Sequence, residues 1–214
     1  MSSQLYFSED DRYEIRHSCR FESANTAHLY NTPSGDGNLD AWTFSAWIKL
    51  TDIRAGTKPL FAAGTNASEY SRITLISNNS LAFMILGSDG NFKAAYKTSS
   101  VFRDFSAWYH ICVAVDTGQS TNTNRVKLYV NGTLQALLGG GDLIHPDQNY
   151  DTHFNDASYK HWIGNEPTGD GSFDGHMAEI NWVDGLQLDP TSFTETDTTW
   201  GHLKPKRYTG AYGT

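Results

Sequence analysis

From Trp42 to Leu50 the chain alternates without a break: Trp42, Phe44, Ala46, Ile48 and Leu50 fall on one side, and Thr43, Ser45, Trp47 and Lys49 on the other. A period of two belongs to an extended strand with one side in a core, and Trp47 makes the second side partly apolar too. The signature recurs along the chain. Cys19 and Phe21 alternate with Arg20 and Glu22, and Ala27-His28-Leu29-Tyr30 runs into the breaker cluster Asn31-Thr32-Pro33-Ser34-Gly35-Asp36-Gly37. Residues 59–64, 72–77, 81–87 and 92–98 follow as short strands. They are separated by Asn78-Asn79-Ser80 and Ser88-Asp89-Gly90-Asn91, residue types that tolerate the positive φ of tight hairpins. Residues 108–115 are apolar on both sides, which predicts a central strand, and Val126, Leu128 and Val130 lead into an Asn131-Gly132 hairpin turn. The last strong strands are 160–164 and 173–183, with Asp184-Gly185 as a turn. Residues 139–158 are too poor in apolar side chains for a core element and are expected to form a surface loop, of a length that often carries function. Asp189-Pro190 predicts one capped turn and no more.

About a dozen short strands with no helix for a crossover exclude a parallel sheet. The expected fold is all-β: a two-sheet antiparallel β-sandwich of jelly-roll type. A chain of 214 residues fits one such domain. We read residues 1–16, charged and weakly patterned, as an N-terminal arm and 17–214 as the sandwich. Folding at this length removes about 70% of the unfolded surface from water, so the core requires no cofactor, metal or disulfide. The net charge of −8 and the lack of a large Lys/Arg cluster argue against nucleic acid as a partner. No apolar run approaches the ~18 residues of a membrane span, and Met1-Ser2-Ser3-Gln4-Leu5 lacks signal-peptide character. Cys19 and Cys112 both lie in apolar alternating segments and are expected to be small core hydrophobes, with a bridge between them left open.

Four segments in order resemble laminin-G-like (LamG) domains of the concanavalin A-like superfamily: Trp42-Thr43-Phe44-Ser45-Ala46-Trp47-Ile48-Lys49, Trp108-Tyr109-His110-Ile111-Cys112-Val113-Ala114-Val115-Asp116, Lys127-Leu128-Tyr129-Val130-Asn131-Gly132 and Phe173-Asp174-Gly175-His176-Met177-Ala178-Glu179-Ile180. Residues 101–110, 184–193 and the tail from Lys204 look like LamG-type structural proteins of bacteriophages. The resemblance implies a virion protein, a tail-fibre or tail-tip module or a head decoration, forming a homo-oligomer and assembled in the bacterial cytoplasm. Two unbridged cysteines suit that reducing compartment.

The superfamily also holds laminarinase-type glycan hydrolases with a Glu-x-Asp-x-x-Glu strand, and here Glu179-Ile180-Asn181-Trp182-Val183-Asp184 comes near it. Retaining hydrolysis needs two ionisable carboxyls about 5–5.5 Å apart. Asn181 cannot ionise and Asp184 is a methylene short, so Glu179 and Asn181 are expected to line one side of a strand and the protein is expected not to be an enzyme. The eight histidines show no metal-ligand spacing. Many LamG domains bind calcium at the sandwich rim, so the resemblance makes Ca2+ the cofactor to look for. Asp36, Asp40, Asp170 and Asp174 are oxygen donors in Gly-rich turns, although ordinary turns use the same residues. A glycan site needs an exposed aromatic plane beside amide and carboxylate groups. The stretch 160–170 offers Trp162, Asn165, Glu166 and Asp170 next to the long loop. The expected function is therefore attachment through host-surface carbohydrate. The alternative is a capsid-decoration or tail-assembly role in which other virion proteins are the partners.

Overall fold

A computed structural model describes residues 13–52, 56–167, 169 and 171–213. Residues 1–12 of the expected arm, and Asp170, lie outside the described residues. The strands are β1 (Cys19–Phe21), β2 (Leu29–Asn31), β3 (Ala41–Leu50), β4 (Lys58–Asn66), β5 (Glu69–Leu75), β6 (Leu81–Leu86) and β7 (Phe92–Lys97). They continue with β8 (Tyr109–Asp116), β9 (Val126–Val130), β10 (Thr133–Leu134), β11 (Lys160–Ile163), β12 (Gly175–Asp184), β13 (Thr194–Thr196) and β14 (Leu203–Pro205). Two six-stranded sheets form, in the orders β1-β12-β3-β8-β9-β10 and β2-β11-β4-β5-β6-β7, with β13-β14 as a separate hairpin. The strand pairs are antiparallel, so the fold is the expected two-sheet sandwich.

Alternation decides which side of each sheet is buried against the other. In β3 the inward set, Trp42, Phe44, Ile48 and Leu50, meets Phe61, Ile73, Phe83 and Tyr96 of the second sheet in one continuous core. Its centre is a cluster of rings. Trp42 stacks on Trp182 at 4.8 Å, Phe61 stacks on Phe154 at 4.8 Å, and Trp42 meets Phe154 edge-on at 5.0 Å. The Asn131-Gly132 turn takes φ of 49° and 76°, the left-handed pair that matches the twist of the strands it joins.

Two expectations are corrected. The segment 139–158 is not only a surface loop. Its Phe154 is fully buried at the centre of the ring cluster, Thr152 accepts the Trp42 Nε1–H at 3.0 Å, and Asn155 accepts the Trp182 Nε1–H at 2.6 Å. An indole N–H taken into a core needs an acceptor, and this polar segment supplies two. Cys112 is buried, but Cys19 is exposed, and both thiols are free. β1 is a three-residue edge strand whose Phe21 end alone is covered.

A third layer covers the outer side of the first sheet. Register places Thr43, Ser45 and Trp47 of β3 level with Ala114, Cys112 and His110 of β8 on that side. The chain after β12 runs back over it. Thr43 Oγ donates to the Leu186 carbonyl at 2.6 Å and accepts from the Leu188 amide at 2.8 Å. Gln187 Nε2 donates to the Asn124 and Arg125 carbonyls. Asp189 caps the expected turn by accepting from the Thr191 amide at 2.8 Å, and Phe193 is carried onto a small cluster with Cys112 and Val183. The segment returns to β12 at its far end, where Asp184 N donates to the Tyr212 carbonyl and Tyr212 Oη donates to Asn181 Oδ1.

Candidate functional site

β11 lies between β2 and β4 in the second sheet. His161 pairs with Ala63 and Ile163 with Phe61 on the core side, which leaves Trp162 level with Tyr30 and Ala62 on the outside. Tyr30 is 64% exposed. Lys160 places its ammonium 4.6 Å from the Tyr30 ring centre and 5.7 Å from that of Trp162, a cation over two π faces. The His28 ring sits 5.9 Å from Tyr30. Together they form an aromatic surface near the edge of the sheet.

Gly164 ends the strand with φ +82°, and any Cβ there would collide with the Phe21 ring, so only glycine lets the chain leave β11 at this point. The loop that follows is closed at its base by a bridge between Asn165 and Ser172. Asn165 Oδ1 accepts from the Glu166 amide at 2.8 Å. Glu166 reaches under the loop to Arg72 of β5 at 2.6 Å, with side chains 1% and 15% exposed. Arg72 in turn lies 4.5 Å over the Tyr70 ring and is level with Ala62.

Of the residues expected to bind glycan, Asn165 and Glu166 are tied together at the base of the loop that follows Trp162, and Asp170 lies outside the described residues. Their surroundings differ. Trp162 belongs to the outer aromatic surface, whereas Asn165 and Glu166 are 8% and 3% exposed and fix the loop to the sheet. The sequence reading missed Tyr30 and Arg72. Tyr30 was legible as part of a strand, but its pairing with a residue more than a hundred positions away was not.

Asp36 Oδ1 accepts from the Ala157 amide at 2.8 Å. Asp174 accepts from Ser23 Oγ at 2.7 Å and faces Arg20 at 2.9 Å. Burial works against the Asp174 charge, but hydrogen bonds from Thr51, Ser23 and Arg20 outweigh it and hold the pKa down to about 2. Among the described residues, no group of three or more His, Cys, Asp or Glu is arranged to hold a metal ion, so Asp36, Asp40 and Asp174 do not converge on one.

Glu179 is displaced from regular alternation. The β12–β3 register shifts between Ala178 and Asn181, and Glu179 takes φ +48°, so it sits in a bulge rather than on one side of the strand with Asn181. Tyr13 lies beside it. Partial burial and the Glu179 carboxylate push the Tyr13 hydroxyl up to about 12. Asn181 Oδ1 is occupied by Tyr212. His153 and His161 are buried: His153 Nδ1 is 2.9 Å from Ser71 Oγ, and His161 accepts the Asn155 amide at Nε2, which leaves Nδ1–H for the Tyr159 carbonyl at 3.0 Å.

Two antiparallel six-stranded sheets face to face, with hairpin loops at the rims and aromatic rings on an outer side, define a lectin-like β-sandwich. The chain belongs to the concanavalin A-like lectin/glucanases superfamily, whose Laminin_G_3 family model matches residues 23–186. Comparison with curated proteins finds none that matches. Among solved structures, the chain is similar to the enzymatically active domain of tailspike protein 2 from bacteriophage CBA120, with TM-score 0.55 and 15% identity, over 81% of this chain and 26% of that one. It is also similar to the heptameric SAP-like pentraxin of Limulus polyphemus, with TM-score 0.52 and 15% identity, over 75% and 70% of the two chains. A third is the IT-sialidase CBM40 of Ruminococcus gnavus, with TM-score 0.51 and 15% identity, over 78% and 95%. At this identity the likenesses concern the fold.

Proposed function

We propose that this domain is a non-catalytic saccharide-binding module of a bacteriophage particle, which engages host-surface glycan. The observation that carries the reading is the outward Tyr30–Trp162 pair with Lys160 across it. A sugar ring stacks its C–H face on an aromatic plane and gives its hydroxyls to nearby polar groups, here Lys160 and His28. The fold shared with a tailspike domain and a sialidase CBM40 supports the reading. Asn181 at the middle position of the β12 stretch, with its Oδ1 taken by Tyr212, and Glu179 displaced into a bulge beside Tyr13 support a binding rather than a hydrolytic role. On an array of bacterial surface glycans, the full chain is expected to bind at least one neutral saccharide, and Trp162→Ala is expected to weaken that binding about tenfold or more. Binding unaffected by both Trp162→Ala and Tyr30→Ala would remove the basis of the assignment.

A second reading rests on Trp200, 77% exposed in the β13–β14 turn, where Asp197 Oδ1 holds the backbone by accepting the Thr199 and Trp200 amides at 2.8 Å. A fixed exposed indole is a common anchor for a protein neighbour, as a decoration or assembly role requires. Particles that lose the protein on Trp200→Ala, with glycan binding absent from the intact chain, would favour this role.

A further inference from the structure

On the opposite side of the molecule, outside the first sheet, lies an open cavity of about 500 Å3. Trp47, 8% exposed and level with Ala178, lines it together with Trp108, 37% exposed just before β8. Each ring has a histidine beside it. Trp47 lies 5.2 Å from the His110 ring, and Trp108 meets His176 edge-on at 6.4 Å. The stretch 13–18 forms one wall and the β14 strand, with His202 before it, forms the other. These walls bring Arg16 and Lys204 to a cavity lined by two indoles.

The charge there runs against that of the chain as a whole, which is formally −8. Lys204 is partly neutralised, 3.1 Å from Glu195 and 4.0 Å from Asp197. Among the described residues Arg16 has no carboxylate partner, and Glu14 is the one carboxylate on the cavity wall. An exposed guanidinium at the mouth of such a site offers two parallel N–H donors, the geometry that a carboxylate takes bidentately. The indoles supply the stacking surface that a pyranose ring needs, and the volume falls within the 300–1,000 Å3 typical of small-ligand sites, at roughly the size of one or two sugar units.

We propose that this cavity is a second saccharide site, specific for acidic sugars of the uronic-acid class, with Trp108 and Trp47 against the ring and Arg16 on the carboxylate. It does not depend on the aromatic pair of the second sheet. Calorimetric titration of the full chain with oligosaccharides of galacturonate and of mannuronate tests it, against neutral galacto-oligosaccharides of the same length. At least one acidic series is expected to bind at least tenfold more tightly than the neutral one, and to weaken as salt is raised. Arg16→Gln and Trp108→Ala, both at exposed positions, are each expected to lower that affinity about tenfold, while Trp162→Ala leaves it unchanged. Failure of both acidic series to bind would overturn the proposal, as would acidic binding that survives both Arg16→Gln and Trp108→Ala. Loss of neutral-glycan binding in Trp162→Ala alone bears on the first site only, so the two readings fail separately.

Discussion

At the scale of single residues, burial sets the acid response. His110 is fully buried in β8, with Nε2 2.8 Å from Ser45 Oγ, and desolvation pulls its pKa down to about 4. Burial lowers His153 and His161 in the same direction. A folded pKa below the unfolded value means that the unfolded chain takes up protons that the folded one refuses. The associated stability is fully present above about pH 6.5 and is lost as pH falls toward about 4. For His110 alone this amounts to about 2 kcal/mol by about pH 5. Thermal unfolding followed from neutral pH to about pH 5 should show the decline, and His110→Gln should flatten part of it while being less stable at neutral pH. Asp174 acts in a lower window, because its pKa is also depressed: its contribution holds above about pH 4 and is lost as pH approaches about 2. Asp174→Asn, which weakens its bonds to Ser23, Thr51 and Arg20, should cost about 1.5–3 kcal/mol in denaturant unfolding.

At the scale of elements, the most informative is the segment that sequence patterning assigned to the surface. Phe154→Ala should cost about 3–5 kcal/mol, measured by the shift in denaturant midpoint, because it opens a hole between Trp42, Phe61 and Trp182. A surface loop would lose well under that amount. The sandwich strands were legible because alternation is a local signal: β3 reads off its own ten residues. A single phenylalanine between Thr152, His153 and Asn155 has no period, and its burial is set by the indoles it meets from distant strands. The candidate site divides in the same way. Trp162 was legible from its place beside polar turn residues, whereas Gly164 was read as the end of the strand and its close approach to Phe21 was not. The burial of Glu166 was not, because its partner Arg72 is on β5 and only folding brings them together.

At the scale of the whole molecule, the family match ends at residue 186, where the third layer begins. The layer is what shields Cys112, whose thiol is pushed up by burial. Native labelling with a thiol reagent should find Cys19 reactive and Cys112 protected. A chain ended after residue 185 should expose both thiols, and its loss of solubility or cooperativity would measure how much the layer contributes. Equal protection of Cys112 with and without that segment would show that the sheet shields its own outer side.

Thr43, Ser45, His110 and Asn181, all buried beneath that layer, carry a consequence for biosynthesis. The ribosome makes the covering residues after every strand of the sheet they cover, so the sandwich passes through a stage in which this side faces water. Hydroxyls, an imidazole and an amide can wait there well hydrated, where a wholly greasy surface would recruit other nascent chains. Thr43 and Asn181 then exchange water for Leu186, Leu188 and Tyr212 when the final stretch arrives, while Ser45 and His110 hold each other.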